Sequence, residues 1–422
     1  MRRETDKYCE QDCRVLYQII NIFSRRIFEQ FKINIHNYPT LPSLAFAIFR
    51  SNFLDKVKNG IPLITGEIYN YIKKSYTGGA VDVYKPHGND VKAYDVNSLY
   101  PSQMQSRPMP VGSPTFFQGD IKYYSGSLGP IEELLGFYEV EVTTPENLAY
   151  PILQRRVKTT NGGTRTVADL GTWKGVYFSE EIKNAEQYGY TFKILSGYLF
   201  KKENIFKDYV DTLYTWKENS DPNSSDYLIA KMLLNSLYGK FGQKPLMETH
   251  LILDKEEILK YETDGKYVIT NSIELDNGKE LLSFFDYSYL QEDPWYSKSK
   301  YKNISVPIAS AVTAYARIEM SHYKMWCLEN DIIIYYSDTD SIYISAYLPD
   351  HLVSKKLGQM KLERVFKEAC FIAPKVYGGI IENSTKEYVK VKGLKNPVSF
   401  EQLITLLHKD ATLTFNQEKW QR

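Results

Sequence analysis

Three features of this sequence together predict an α+β fold. Residues 331–347 place two runs of β-branched and aromatic residues around a short polar centre, Ser337 to Ser341, and read as strand, tight turn and strand. Residues 91–96 form another strand pattern that runs into a helix start, and residues 7–35 and 226–242 carry apolar positions at helical spacing. The turn of the first unit holds Asp338 and Asp340 between apolar arms, where an unpaired carboxylate is costly unless a cation or hydrogen bonds offset it. A divalent metal ion would do so. An acidic turn pointing into solvent is the alternative, because Asp and Ser suit turns for purely local reasons.

At 422 residues with 43% hydrophobic content, the chain exceeds one ordinary domain and has ample material for a core, so two or more subdomains are expected. The formal charge of +1 supplies no global basic field, so any nucleic-acid contact must come from local patches, which counts against simple DNA coating. Cys9, Cys13, Cys327 and Cys370 are few and scattered, which argues against a disulfide scaffold and for a reducing compartment. No apolar run is long enough to span a membrane, and the start Met1-Arg2-Arg3-Glu4-Thr5-Asp6 lacks the apolar core of a secretory signal. A soluble, non-secreted protein is expected.

In chain order, Val15, Leu16, Ile19, Ile20, Phe23, Ile27 and Phe31 mark the first helix, with Tyr8 and Asp12 on one face at i and i+4. Prolines at 39, 42 and 62 punctuate one helix between residues 38 and 64, and Tyr76-Thr77-Gly78-Gly79 precedes a strand-like piece at 80–84. The adjacent glycines permit close backbone approach or simply make a turn. Asp95 sits at a strand end, and Asn97-Ser98-Leu99-Tyr100-Pro101 reads as a strand-to-helix turn with Pro101 at the first helical position. An acid beside free backbone N–H groups is a sensible place to gather a metal and a phosphate. Residues 111–198 hold strand pieces at 136–143 and 189–198, an insertion rather than a linker.

On the helix at 226–242, Lys231, Asn235 and Tyr238 share a face while Met232, Leu233 and Leu237 point to packing, with Gly239 and Gly242 ending it. Phosphate charge, hydrogen bonding and ring stacking suit a nucleoside triphosphate, although a solvated helix face carries the same residues. Residues 246–305 suggest a hairpin-bearing insertion, and a helix after Pro307 ends at Glu329-Asn330. Residues 361–374 read as helical. Lys386, Tyr388, Lys390, Lys392 and Lys395 follow, with lysines on one strand face, suited to a phosphate backbone or to protecting an edge strand.

The parts have one economical joint use. Two metal ions held by Asp95 and Asp340, helped by Asp338, would activate a primer hydroxyl and neutralise a triphosphate under in-line attack, which is nucleotidyl transfer.

Asp95-Val96-Asn97-Ser98-Leu99-Tyr100-Pro101, Lys231-Met232-Leu233-Leu234-Asn235-Ser236-Leu237-Tyr238-Gly239 and Tyr336-Ser337-Asp338-Thr339-Asp340-Ser341 resemble, in order, the three polymerase motifs of family B DNA polymerases. Tyr76-Thr77-Gly78-Gly79 is similar to the motif linking exonuclease and polymerase modules, and Lys375-Val376-Tyr377 to the thumb-side motif of the protein-primed branch of phages, adenoviruses and linear plasmids.

This resemblance implies a right-hand fold: an antiparallel palm (84–110 and 306–360), helical fingers (201–245) and a small thumb (361–422), short for a complete one. It also implies a connecting segment (36–83), an insertion contacting a terminal protein (111–200) and one serving processivity and strand displacement (246–305). Asp95, Asp340 and the Val96 carbonyl would hold two Mg2+ ions, with Mn2+ able to substitute and Asp338 assisting. Ser98, Leu99, Tyr100, Lys231, Asn235 and Tyr238 would line the nucleotide site. Tyr76, Gly78, Gly79, Gly239, Thr339, Lys375, Tyr377, Lys390 and Lys392 would meet DNA. The implied partners are primer-template DNA, deoxynucleoside triphosphates and a terminal protein, in a mitochondrion or a viral host. The sequence departs from the pattern in one respect: a second basic residue expected one or two turns before Lys231 is not evident, the nearest being Lys217.

Tyr8 and Asp12 are similar to the third exonuclease motif, whose companions would precede Met1, so residues 1–35 read as a relic that packs on the palm without proofreading. Two rivals stand beside the polymerase: a catalytically silent DNA-binding remnant, which lacks an explanation for all three acids, and a metal-dependent phosphohydrolase, which needs no Lys-Asn-Tyr helix.

Overall fold

The computed structural model describes residues 2–121, 128–160, 162–244, 248–275, 277–286, 304–394 and 398–415. Its helices are α1 (Arg2–Phe31), α2 (Leu41–Asn52), α3 (Gly66–Lys73), α4 (Leu99–Ser106), α5 (Ser179–Glu186), α6 (Lys207–Glu218), α7 (Ser225–Phe241), α8 (Lys255–Thr263), α9 (Val306–Glu329) and α10 (Phe400–Thr405). Its strands are β1 (Val81–Val83), β2 (His87–Val96), β3 (Met109–Gln118), β4 (Leu134–Thr143), β5 (Arg155–Lys158), β6 (Thr164–Val167), β7 (Thr172–Phe178), β8 (Thr191–Glu203), β9 (Thr249–Leu253), β10 (Tyr267–Glu274), β11 (Glu280–Asp286), β12 (Ile334–Asp338), β13 (Ser341–Ile344), β14 (Met360–Ala373), β15 (Val376–Ile381) and β16 (Glu387–Val391). The expected α+β class holds.

A seven-stranded antiparallel sheet, ordered β1-β12-β13-β2-β14-β15-β16, is the platform for everything else. Side chains alternate between its faces. Tyr94, Val96, Ile334, Ile342 and Ile344 pack on Ala316, Met320, Tyr323 and Cys327 of α9. Val91, Ala93, Tyr343, Phe366 and Tyr377 gather on the other face, the face of Asp95. Helix α9 is buried along nearly its whole length, which its run of Ala, Val, Ile and Met allows.

The helices α2, α6 and α7 share a second core in which Phe49, Phe206, Tyr209 and Phe241 meet edge to face or tilted. The insertion at 111–200 forms a four-stranded sheet, β3-β8-β4-β7, and carries the β5-β6 hairpin. Residues 248–286 build a smaller sheet, β10-β11-β9, against α8. The remainder of that expected insertion, at 287–303, lies outside the described residues, as does Lys395.

Several local expectations are corrected. Residues 361–374 are not a helix but strand β14, paired with β2 from Met360 to Cys370. Phe366 and Cys370 mimic an i, i+4 pair, yet a full-length partner strand decides the conformation, since strand preference follows context. The expected palm–thumb boundary at 361 therefore falls where a strand of the same sheet begins. Pro101 is the third residue of α4, still in the first turn where a missing N–H costs nothing, and Gly239 lies inside α7, which Gly242 caps. Tyr8 does not pack on the sheet: it is 70% exposed, Asp12 is exposed too, and the buried residues among those of α1 whose burial is described are Ile27 and Phe31, near its C-terminus.

Candidate active site

Strand register brings the acids together. In the β12–β13 hairpin Asp338 faces Ser341, and Ser341 in turn faces Asp95 on β2, while the Val96 N–H donates to the Asp340 carbonyl at 2.8 Å. Thr339 and Asp340 form the two-residue turn. Thr339 holds φ 61°, a conformation that a β-branched residue adopts only when its surroundings impose it, at a cost of about 1–3 kcal/mol. The imposing contact is visible: the Thr339 N–H donates to the Ala80 carbonyl at 2.9 Å, and a Cβ built on Gly79 would stand 2.6 Å from Thr339 Cγ2. Gly79 is thus required where the 76–79 turn lies against the acidic turn.

The two acids of the neighbouring strands feel each other. Burial first, then the charge of Asp340 and that of Glu363, push the Asp95 carboxyl up to about 7 against the pull of Lys361 and Lys390. Burial also raises Asp340, opposed by its own backbone N–H and reinforced by Asp338. Asp338 is the acid with a cationic partner: Lys375 Nζ lies 2.8 Å from both its oxygens, and the Tyr336 hydroxyl donates to it at 3.2 Å. Lys375 is held by the same tyrosine, whose hydroxyl accepts from the Lys375 N–H at 2.9 Å.

Among the described residues no group of three or more His, Cys, Asp and Glu forms a complete metal cage. The donor set nevertheless fits a hard divalent cation. Asp95 and Asp340 are half-buried oxygen donors, both pushed up first by burial and Asp95 also by the charge of Asp340, and a cation between them would remove that penalty. Such a cation would complete its shell with carbonyl, water or phosphate oxygens, and Val96 supplies the carbonyl next in the chain.

Beside the acids, Ser98 takes φ 54° ahead of α4, Leu99 is buried, and the Tyr100 ring stacks on Tyr238 of α7 at 4.2 Å between centroids and 29° between planes. Asn235 and Lys231 are exposed one and two turns before Tyr238, with Asn235 Nδ2 donating back to the Lys231 carbonyl at 3.0 Å. Lys217, the nearest basic residue upstream in the sequence, comes near Lys231 in space: at the end of α6, it is pulled below the usual lysine pKa by burial and by the charge of Lys231. The α6–α7 loop separates it from the motif, so spacing along one helix does not show this proximity.

The expected DNA-contacting residues divide. Gly79 and Lys375 lie against the acidic turn that Thr339 opens, the Gly78 carbonyl accepts from Arg317, and the Tyr76 ring lies against Gly242 at the end of α7, whereas the Tyr377 hydroxyl is turned inward, accepting from Tyr343 at 3.1 Å. Lys390 is exposed and its charge reaches Asp95 and Asp340; Lys392 lies just past β16, and Gly239 faces open space. Sequence reasoning also missed Arg317, buried in α9, which donates to the Thr77 and Gly78 carbonyls and pairs with Glu181 at 2.7 Å. An arginine within the apolar first half of that helix, Val306 to Ile318, was the available signal.

Residues 1–325 match the family model described as DNA polymerase type B, organellar and viral. The chain is 43% identical over its whole length to a probable DNA polymerase of Neurospora intermedia, covering 42% of that protein, and 42% identical to one of Ascobolus immersus, covering 32% of it. A DNA polymerase of Bacillus phage Nf is 28% identical over 85% of the chain and 58% of its own length. The fold is similar to that of Phi29 DNA polymerase in its orthorhombic crystal form, with a TM-score of 0.65 at 23% identity, covering 89% of this chain and 64% of that one. The chain spans less than half the length of these fungal relatives, and it belongs to the type B DNA polymerases of organelles and viruses.

Proposed function

We propose that the chain is a DNA-directed DNA polymerase, adding deoxynucleotides to a primer by nucleotidyl transfer. The observation that carries this reading is the register that sets Asp95 beside Asp340, flanked by the Tyr100–Tyr238 stack. Asp95 and Asp340 would hold magnesium, which when bound lowers the pKa of the primer 3′-hydroxyl and neutralises developing charge on the triphosphate. Lys231 and Lys217 would bind the triphosphate oxygens, and Tyr100 would close the pocket beside the sugar. Lys375 would hold Asp338 and the turn in place.

The finer reading is protein-primed replication of a linear DNA element, a mitochondrial plasmid or a viral genome, with a terminal protein meeting the insertion at 111–200. Kinship with fungal and Bacillus phage polymerases supports it. Primer extension with magnesium on a primed template tests the main reading. Binding of that template without extension by the 422-residue chain would favour the silent remnant, for which the engagement of Asp338 by Lys375 speaks. Loss of nucleotides without extension would favour hydrolysis.

A further inference from the structure

A cavity of about 370 Å3 lies between residues 74–77 and the strands of the segment 139–177. Its wall combines Lys74, Arg156, Lys174, Trp173, Tyr177 and Gln154. The size falls within the roughly 300–1,000 Å3 of small-ligand sites. Three features make it more than a surface fold.

The first is charge. Lys73, next to the cavity, is pulled below the usual lysine pKa by burial and by the charges of Arg156 and Lys244, and the cations of the wall, Lys74, Arg155, Arg156, Lys174 and Arg317, outnumber its acids, Glu139 and Glu181. Arg317 and Arg155, which also line it, are already matched by Glu181 and Asp169, whereas Lys74 and Lys174 are exposed. The second feature is an aromatic wall that is fixed in place. Trp173 Nε1 donates to the Tyr177 hydroxyl at 2.8 Å, that hydroxyl donates to the Gln154 carbonyl at 2.9 Å, and the Arg155 guanidinium sits 5.0 Å from the Trp173 ring. The third is an unmet acceptor. Gln154, only 8% exposed, has a buried Oε1 with no hydrogen-bond partner among the described residues, a state native proteins seldom leave without a ligand or water to fill it.

Cations beside an aromatic wall and an amide acceptor are the chemistry that binds unpaired nucleotides: phosphates on lysine and arginine, a base against the ring, and a base N–H to the amide oxygen. A duplex keeps its bases stacked inside and would leave the cavity unused. The cleft is also tied to the acidic turn. Arg156 Nη2 donates to the Tyr76 carbonyl at 2.7 Å, and three residues later Gly79 lies against Thr339. We propose that this cleft binds single-stranded DNA, the unpaired template strand, with Lys74, Arg156 and Lys174 on its phosphates and one base against Trp173. The inference rests on the polymerase reading for the identity of the strand.

The test measures anisotropy of a labelled single-stranded oligonucleotide and of its duplex with the 422-residue chain in EDTA, across a salt series. The parent binds the single strand more tightly than the duplex. A variant carrying Lys74→Ala and Lys174→Ala lowers the log-affinity against log-salt slope by about 1.4, two contacts at about 0.7 each. Trp173→Ala weakens binding about tenfold, in the range of one lost base stack. Should Trp173→Ala unfold, as its melting curve would report, the exposed lysine pair decides alone. An unchanged slope in the lysine variant, or preference of the parent for duplex, overturns the proposal. Extension by the parent on a template with a one-nucleotide overhang is scored separately, so nucleotidyl transfer can stand while the cleft falls, and the reverse.

Discussion

The Lys375 ammonium stands 2.8 Å from both carboxylate oxygens of Asp338, and this pairing separates the roles of the hairpin's two acids. Asp338 has a cation in direct contact, while Asp95 and Asp340 feel lysine charges only from a distance and stay above the usual carboxylate range. Asp340→Asn is therefore expected to cut primer extension by something on the order of 10³-fold or more while leaving primer-template binding intact, since it removes a metal-facing charge and no DNA contact. Asp338→Asn should cost less in rate. Steady-state extension and gel-shift affinity measured on both variants check the order, and retained extension by Asp340→Asn would remove the hairpin from the chemistry.

Gly79→Ala should act on the same turn from outside. Its new Cβ would lie 2.6 Å from Thr339 Cγ2 and 2.9 Å from Thr339 Cα, so either the 76–79 turn or the acidic turn must move. Overpacking of this kind costs about 1–3 kcal/mol. The expected outcome is a lower melting temperature and slower extension, relieved in part, not fully, by adding Thr339→Ala, because the backbone contact remains. Full activity of Gly79→Ala alone would show that the two turns are not coupled.

Much of this architecture was legible because local pattern and tertiary context agree. The Ile-Ile-Ile-Tyr-Tyr and Ile-Tyr-Ile arms of the hairpin alternate across a real sheet, and the polar face of α7 carries Lys231, Asn235 and Tyr238 as its spacing implies. The failures have a common cause in long-range contact. Strand β14 was misread because its partner β2 lies more than 260 residues away in sequence. Lys217 reaches Lys231 only through the packing of α6 on α7, and Tyr8 faces solvent although its helix is strongly patterned. No spacing rule within one helix could have given any of the three.

Burial of the Asp95 carboxyl, with the charge of Asp340 second, makes stability depend on pH in a defined direction. The Asp95 carboxyl titrates at about 7 in the folded chain, against about 3.9 for a free aspartate. Between these values the folded state holds more protons than the unfolded one, so this group's contribution to stability falls as pH rises from about 4 to 7 and is level above that. Asn at position 95 cannot ionise. In EDTA, the melting temperature of Asp95→Asn should gain on the parent across this window, and magnesium added at pH 8 should raise the parent's melting temperature and not the variant's. A difference that stays constant with pH would contradict the coupling.

The Tyr100–Tyr238 stack leads to a prediction about sugar selection. Tyr100 is fixed from two sides, by the turn after Ser98, which starts α4 with a φ of 54°, and by the Tyr238 ring at 4.2 Å. A ring so held cannot swing aside at low cost, which is what excluding a 2′-hydroxyl beside the Asp95 carboxylate demands. Removing the ring should open that space without touching the acids. Tyr100→Val is therefore expected to raise kcat/KM for ribonucleotides relative to deoxynucleotides by about tenfold or more, within the roughly hundredfold scale on which pocket shape alone discriminates one hydroxyl. Tyr238→Phe keeps the stacking ring and should leave the discrimination in place. A melting curve separates this from simple loss of packing, because a gate variant changes the ratio of the two substrates whereas a destabilised one lowers both together. If Tyr100→Val adds ribonucleotides no better than the parent, the stack serves only to join α4 to α7, and the sugar is read elsewhere.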